Sequence, residues 1–137
     1  MSLPGVVLAV DVGTVRVGVA ASDPHRILAF PLETVPAPGH ARVVELAVER
    51  DAVLIIVGLP TSLSGAADSA SAGMARNWAK QLGPMVSPVE VRLVDERLTT
   101  VSATAALRAA GRSAKSSRAV LDQAAAVALL QGVLDRR

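Results

Sequence analysis

Two uninterrupted apolar runs, VVLAV at Val6–Val10 and VLIIV at Val53–Val57, limit what this chain can fold into more than any other feature. A strand that is apolar at every residue, rather than every second one, must be covered on both of its faces. Such strands belong to sheets sandwiched between helices. Between the two runs, His40–Glu49 places Ala41, Val43, Val44, Ala47 and Val48 at helical spacing against Arg42, Glu45 and Glu49, which predicts an amphipathic helix.

The remaining chain fits that frame. Gly13 breaks the first run, and RVGVAAS at Arg16–Ser22 predicts a second strand close enough to pair antiparallel with it. A third strand is expected over Ile27–Val35, at a sheet edge because Pro31 cannot donate to a ladder. After Val57, Gly58–Pro60 ends the strand and TSLSGAADS forms a loop. A helix over Ser69–Leu82 follows, with Met74, Ala75, Trp78 and Leu82 on one face. GPMVSP then reads as a linker and Val89–Val94 as a strand delivering Asp95 and Glu96. Thr99 and Thr100 are N-caps for a helix to about Ala110, stopped by Gly111. Ala119–Leu134 is a last helix, apolar nearly all round and therefore buried. The order predicts an α/β fold: a mixed sheet with an antiparallel opening and helices on both faces, in one domain over residues 1–137.

Composition removes several classes of function. Cysteine is absent, so disulfides, thiolate nucleophiles and Cys-type zinc sites are excluded, in keeping with a cytoplasmic protein. No stretch reads as a signal peptide or a membrane span. His25 and His40 are read as loop residues without metal spacing. Phe30 and Trp78 are the only aromatic residues, which argues against single-strand recognition by base stacking. Net charge is only +2, but Arg97, Arg108, Arg112, Lys115 and Arg118 fall in a segment with no acid. That segment suits a phosphate backbone, or is a solvated helix and loop face.

Three acids stand where burial should forbid them. Asp11 ends the first apolar run, Glu96 follows the last strand, and Asp122 lies among Ala119, Val120, Leu121, Ala124 and Ala125. A carboxylate in such surroundings is costly unless a cation or hydrogen bonds compensate it. Taken singly, each has an ordinary alternative: Asp11 as a turn acid, Glu96 facing water, Asp122 as a helix cap. Taken together they suggest a cluster, because the carboxyl ends of parallel strands share one sheet edge. Asp11 and Glu96 are then expected side by side, with Asp122 reaching in from a helix across the sheet. Clustered carboxylates repel one another, and oxygen ligands without His or Cys favour Mg²⁺ or Mn²⁺. Two such ions about 3.5–4 Å apart activate water and stabilise the leaving oxygen of a phosphodiester.

Four segments carry a resemblance. DVGTVRVGVA at 11–20, VGLPTSLSG at 57–65, DERLTT at 95–100 and LDQAAAVALLQ at 121–131 resemble, in order, the signatures of the YqgF or RuvX family. Its members are named as pre-16S rRNA nucleases and, earlier, as Holliday junction resolvases. The resemblance implies a ribonuclease H-like fold with a five-stranded mixed sheet, three antiparallel N-terminal strands and two further parallel ones. It further implies a metal-dependent nuclease trimming the 5′ end of pre-16S rRNA in the cytoplasm, as a monomer or weak homodimer, with Asp11, Glu96 and Asp122 as catalytic and metal-binding acids. Asp95 is left as structural, pointing the other way from Glu96. Resolvases of the RuvC type carry a further carboxylate one turn beyond the helix acid, where this chain has Ala125. Weak metal binding without substrate is the expected consequence.

Thr14, Arg16, Arg97, Arg112, Lys115 and Arg118 are the candidate nucleic-acid contacts, with Arg16 and Lys115 as phosphate clamps. Arg16 paired with an acid is the competing reading. The loop at Thr61–Ser69 either closes over substrate or is an ordinary connection. The DxGT turn also occurs in the actin and sugar-kinase superfamily, but those enzymes need two such domains and this chain has length for one. Branched DNA as substrate, and a non-catalytic RNA-binding module of the same fold, remain as alternatives.

Overall fold

A central strand with its neighbours running opposite ways on its two sides organises the molecule. The structure, a computed structural model, describes residues 4–60, 70–96 and 117–136, with side chains of the last helix from Gln123 onward. In chain order it contains β1 (Val6–Val12), β2 (Arg16–Ser22), β3 (Ala29–Pro36), α1 (His40–Glu49), β4 (Ala52–Leu59), α2 (Ala70–Val86), β5 (Glu90–Asp95) and α3 (Ser117–Leu134). The expectations for Thr61–Ser69, for the helix from Thr99 or Thr100 to Ala110, and for Arg97, Arg108, Arg112 and Lys115 fall outside the described residues. So do the side chains of Arg118 and Asp122.

The strands form one sheet in the order β3-β2-β1-β4-β5. β1–β2 and β2–β3 are antiparallel, whereas β1–β4 and β4–β5 are parallel. This is the ribonuclease H-like mixed sheet, with β1 at its centre. Alternation along each strand divides the core in two. Leu8, Val10, Val17, Val19, Ile55 and Val57 face α1 and α2, where Val43, Leu46, Trp78 and Leu82 complete one cluster. Val7, Ala9, Ala20, Leu54 and Ile56 face α3 and meet Ala126, Leu129, Leu130 and Leu134. Full burial of a Val, Leu or Ile side chain contributes roughly 1.5–3 kcal/mol. Both sheet faces are therefore committed to helices.

Local departures from expectation have local causes. Pro31 does lie on an edge strand, next to a register shift opposite Val19 and Ala20. Ile27 and Leu28 are not in that strand; they are 60% and 63% exposed. The Asp23 carboxylate accepts their N–H groups at 2.7 and 2.8 Å, so their backbone is spent on a turn. GPMVSP is not wholly a linker, since α2 continues past Leu82 to Val86 with Pro84 inside it. Burial of Leu82 and Val86 on the same core holds that last turn, where proline removes only one helical bond. In α1 the buried stripe is Val43, Leu46 and Ala47, and Val48 is 77% exposed. His40 is the first residue of α1 rather than a loop residue. Its ring stacks on Trp78 at 4.4 Å, while Trp78 Nε1 donates to the Pro38 carbonyl at 2.6 Å.

Candidate active site

Because β1, β4 and β5 are parallel, their carboxyl ends open on the same edge, and Asp11 and Glu96 both stand there. Asp11 is the sixth residue of β1 and shares the side of Val7 and Ala9, the side covered by α3. Glu96 directly follows β5. β4 lies between β1 and β5, so the two acids are not on neighbouring strands. They meet nonetheless, joined by a side-chain hydrogen bond.

Gly58 makes the meeting possible. Val57 pairs with Val10 on one side and Gly58 pairs with Val94 on the other, which sets Gly58 between the two carboxylates. A β-carbon there would stand 2.9 Å from Glu96 Oε1, 3.3 Å from Glu96 Cγ and 3.1 Å from Leu129 Cδ2. Glu96 thus lies across β4 in the space a side chain would have filled. Sequence reading took this glycine for a strand terminator and missed it. The available signal was a glycine set within the apolar strand VLIIVGL, a mark of close approach by another group.

The electrostatics follow from this placement. Burial pushes the Glu96 carboxyl up, and the Asp11 charge, the hydrogen bond to Asp11 and the Asp95 charge push it further, to about 7. At neutral pH Glu96 is therefore about half protonated, and a cation bound at the pair would displace that proton. Asp95, the last residue of β5, pairs with Leu59 in the sheet and adds its negative charge to the edge.

The β1–β2 turn closes the site on one side. Gly13 donates its N–H to the Arg16 carbonyl at 2.9 Å, and a β-carbon on Gly13 would come to 2.5 Å from that oxygen, so the turn admits only glycine. Arg16 opens β2 on the same sheet side as Gly18, the residue opposite Asp11. Thr14 is exposed at the tip and borders a cleft of about 420 Å³ behind the turn, whose walls include Pro38, His40, Met74, Asn77 and Gln81.

Asp122 stands in the second turn of α3, one helical turn before Ala126 and two before Leu129, the residues that pack on the sheet. The next residue, Gln123, donates to Thr34 Oγ1 at 2.8 Å. Thr34 lies opposite Gly18, and Gly18 opposite Asp11, so this end of α3 is fastened to the row of the sheet that carries Asp11. Among the described residues, no group of three or more His, Cys, Asp or Glu side chains forms a metal site. Two carboxylates are in place there, and the third expected acid belongs to the helix turn beside Gln123.

Known proteins resemble this chain in sequence and in fold. Residues 5–136 match the model of a family described as RuvX, Holliday junction resolvase. A relative from Rhodococcus opacus (strain B4) is 51% identical over 138 residues, covering 95% of this chain and 77% of its own. Another from Mycobacterium ulcerans (strain Agy99) is 54% identical over 134 residues, covering 95% and 78%. Both are provisionally named pre-16S rRNA nucleases. Thermus thermophilus RuvC, in complex with a Holliday junction substrate, aligns with a TM-score of 0.59 at 18% identity over 96% of this chain and 95% of that one, a likeness of fold.

Proposed function

This chain belongs to the RuvX family, and from that premise we propose that it is a divalent-metal-dependent nuclease whose substrate is the 5′ region of pre-16S rRNA. The observation that carries the reading is the hydrogen-bonded pair Asp11 and Glu96, brought together across Gly58 at the carboxyl edge of the sheet. A protein that only bound RNA would have no use for two mutually repelling acids held in this way. The names of relatives sharing half of the sequence favour ribosomal RNA over branched DNA.

The donors fit Mg²⁺ or Mn²⁺: carboxylate oxygens, without sulfur or imidazole. Asp11, Glu96 and Asp122 are the residues that would hold it. Bound there, the metal supplies water activation and offsets charge on the phosphoryl oxygens. The chain's own part is to arrange the ligands. Glu96 gives up its proton as it takes on the ligand role, so its raised pKa makes metal uptake favour pH above about 7. Gly58 keeps the space between the acids free of side chain. Arg16, on the same sheet side as Asp11, and the basic residues Arg97, Arg112, Lys115 and Arg118 are the proposed phosphate contacts, with Thr14 at the turn. Backbone contacts of this kind position the strand without reading its sequence.

The test is incubation of the purified protein with end-labelled precursor 16S rRNA and, in parallel, a synthetic four-way junction. Each is run with Mn²⁺, with EDTA, and with Asp11→Asn. Metal-dependent cutting of the RNA alone, absent in the variant, is the expected result. Cutting of the junction alone would move the substrate to branched DNA. Tight RNA binding that the variant weakens, with no cutting by the parent protein, would replace the nuclease by a binding module.

A further inference from the structure

Toward the end that carries Asp122, the last helix faces the smallest residues of its side of the sheet, whereas Val7, Leu54 and Ile56 share that side with Leu129, Leu130 and Leu134. Ala9 and Ala20 share a core cluster with Ala126, and all three are fully buried. Gly18, the residue opposite Asp11, has no side chain at all. Small residues let that end of the helix approach closely, but they offer few projections there to fix its position along its own axis. A slide of one residue is about 1.5 Å. That shift is large compared with the tolerance of a metal or phosphoryl site.

Among the described side chains of α3, Gln123 and Gln131 bond polar groups of the edge strand or its approach. At the far end, Gln131 Oε1 accepts the Ala29 N–H at 2.9 Å while Nε2 donates to the Ile27 carbonyl at 3.1 Å and to Asp135 Oδ1 at 3.0 Å. At the near end, Gln123 Nε2 donates to Thr34 Oγ1 at 2.8 Å. Only the near anchor lies in the row Thr34–Gly18–Asp11 and next to Asp122 in the helix. A one-residue slide would carry that 2.8 Å bond out of hydrogen-bond range.

We propose that Gln123 and Thr34 are a positioning pair, whose hydrogen bond fixes how far along the sheet α3 sits and thereby where it presents Asp122 to Asp11 and Glu96. Gln131 holds the other end of the helix and serves stability alone. This rests on the reading of Asp122 as a third acid of the site.

The experiment compares Gln123→Ala, Thr34→Val, their double variant, Thr34→Ser and Gln131→Ala in the full chain. Three quantities are read: cleavage kinetics on precursor rRNA, Mn²⁺ affinity by direct titration, and Tm. Gln123→Ala and Thr34→Val should each lower kcat about 10- to 100-fold with KM within threefold. Each should also weaken Mn²⁺ binding, and the double variant should be no worse than either single one. Thr34→Ser should restore both properties, and Gln131→Ala should lower Tm while leaving kcat unchanged. If Gln123→Ala and Thr34→Val behave as Gln131→Ala does, losing Tm but keeping kcat and Mn²⁺ affinity within twofold, the positioning role is wrong. Asp122→Asn separates the two levels. Lost Mn²⁺ binding there, beside an intact Gln123→Ala, overturns the pair alone, whereas unchanged Mn²⁺ binding and cleavage overturns the third acid and the pair with it.

Discussion

Replacing Gly58 by alanine should cost activity far more than stability. The added methyl would lie 2.9 Å from Glu96 Oε1 and 3.1 Å from Leu129 Cδ2, both the ends of flexible side chains. Ordinary contact needs about 3.5 Å, so the Glu96 carboxylate has to recede by roughly half an ångström or swing off β4 altogether. Neither movement disturbs backbone, and the overpacking penalty, about 1–3 kcal/mol in a rigid core, should fall at its lower end. The alanine also removes unfolded-chain entropy worth about 0.4–1 kcal/mol, which offsets part of the loss. The expected Tm change is therefore a few degrees at most. The acids are less forgiving, because displacement by a fraction of an ångström to one ångström at a reacting centre lowers rates about 10- to 100-fold. The assay pairs thermal unfolding with Mn²⁺ titration and cleavage of end-labelled precursor rRNA. Wild-type cleavage and Mn²⁺ affinity in a folded Gly58→Ala protein would refute the account of how Glu96 reaches Asp11.

Other outcomes follow from the same geometry. Folded Glu96 titrates at about 7 against 4.5 unfolded, so the metal-free protein binds the proton more tightly when folded. Unfolding free energy should fall by about 1–2 kcal/mol as pH rises from 4.5 to 7, a figure discounted for the half-exposed carboxyl. Urea titrations across that range would show it, and Mn²⁺ should stabilise most above pH 7. The depressed carboxyls of Asp23 and Glu33 act below that window, where their contribution is lost as pH falls. Asp11→Asn removes a charge that raises Glu96, so carbon-detected NMR should find the Glu96 titration moved down from about 7. Trp78→Phe loses the 2.6 Å bond to the Pro38 carbonyl and part of the stacking on His40. It should cost about 1–3 kcal/mol by denaturant melts without changing Mn²⁺ affinity.

Strand positions were readable because burial on two faces leaves continuous apolar runs, and Asp11 stood out for the same reason: a charge closing such a run is anomalous. Glu96 was legible as an acid delivered by a strand, but its route to Asp11 was not. Periodicity reports which faces are buried, not the order of strands, so the insertion of β4 between β1 and β5 left no trace in the pattern. The part played by Gly58 depends on that order and was hidden with it. The end of α2 was misplaced because Gly83–Pro84 punctuates a sequence locally, whereas the burial of Val86 is a tertiary effect. Ile27 and Leu28 look like strand residues by type, yet Asp23, four and five residues earlier, captures their backbone. His40 has no metal-binding neighbour in sequence to mark it, and its partner Trp78 is 38 residues away.

The central claim is that Asp11 and Glu96 form a metal-holding pair that cuts RNA, and Glu96→Gln tests it most directly. Glutamine matches the shape of the protonated carboxyl and can still donate to Asp11, so the metal-free fold should keep or raise its Tm. It cannot become an anionic ligand. Cleavage of end-labelled precursor 16S rRNA with Mn²⁺, by wild type and Glu96→Gln side by side from pH 6 to 9, should show a wild-type rate rising through about pH 7 and essentially none in the variant. A folded Glu96→Gln protein that cleaves at the wild-type rate would contradict the account.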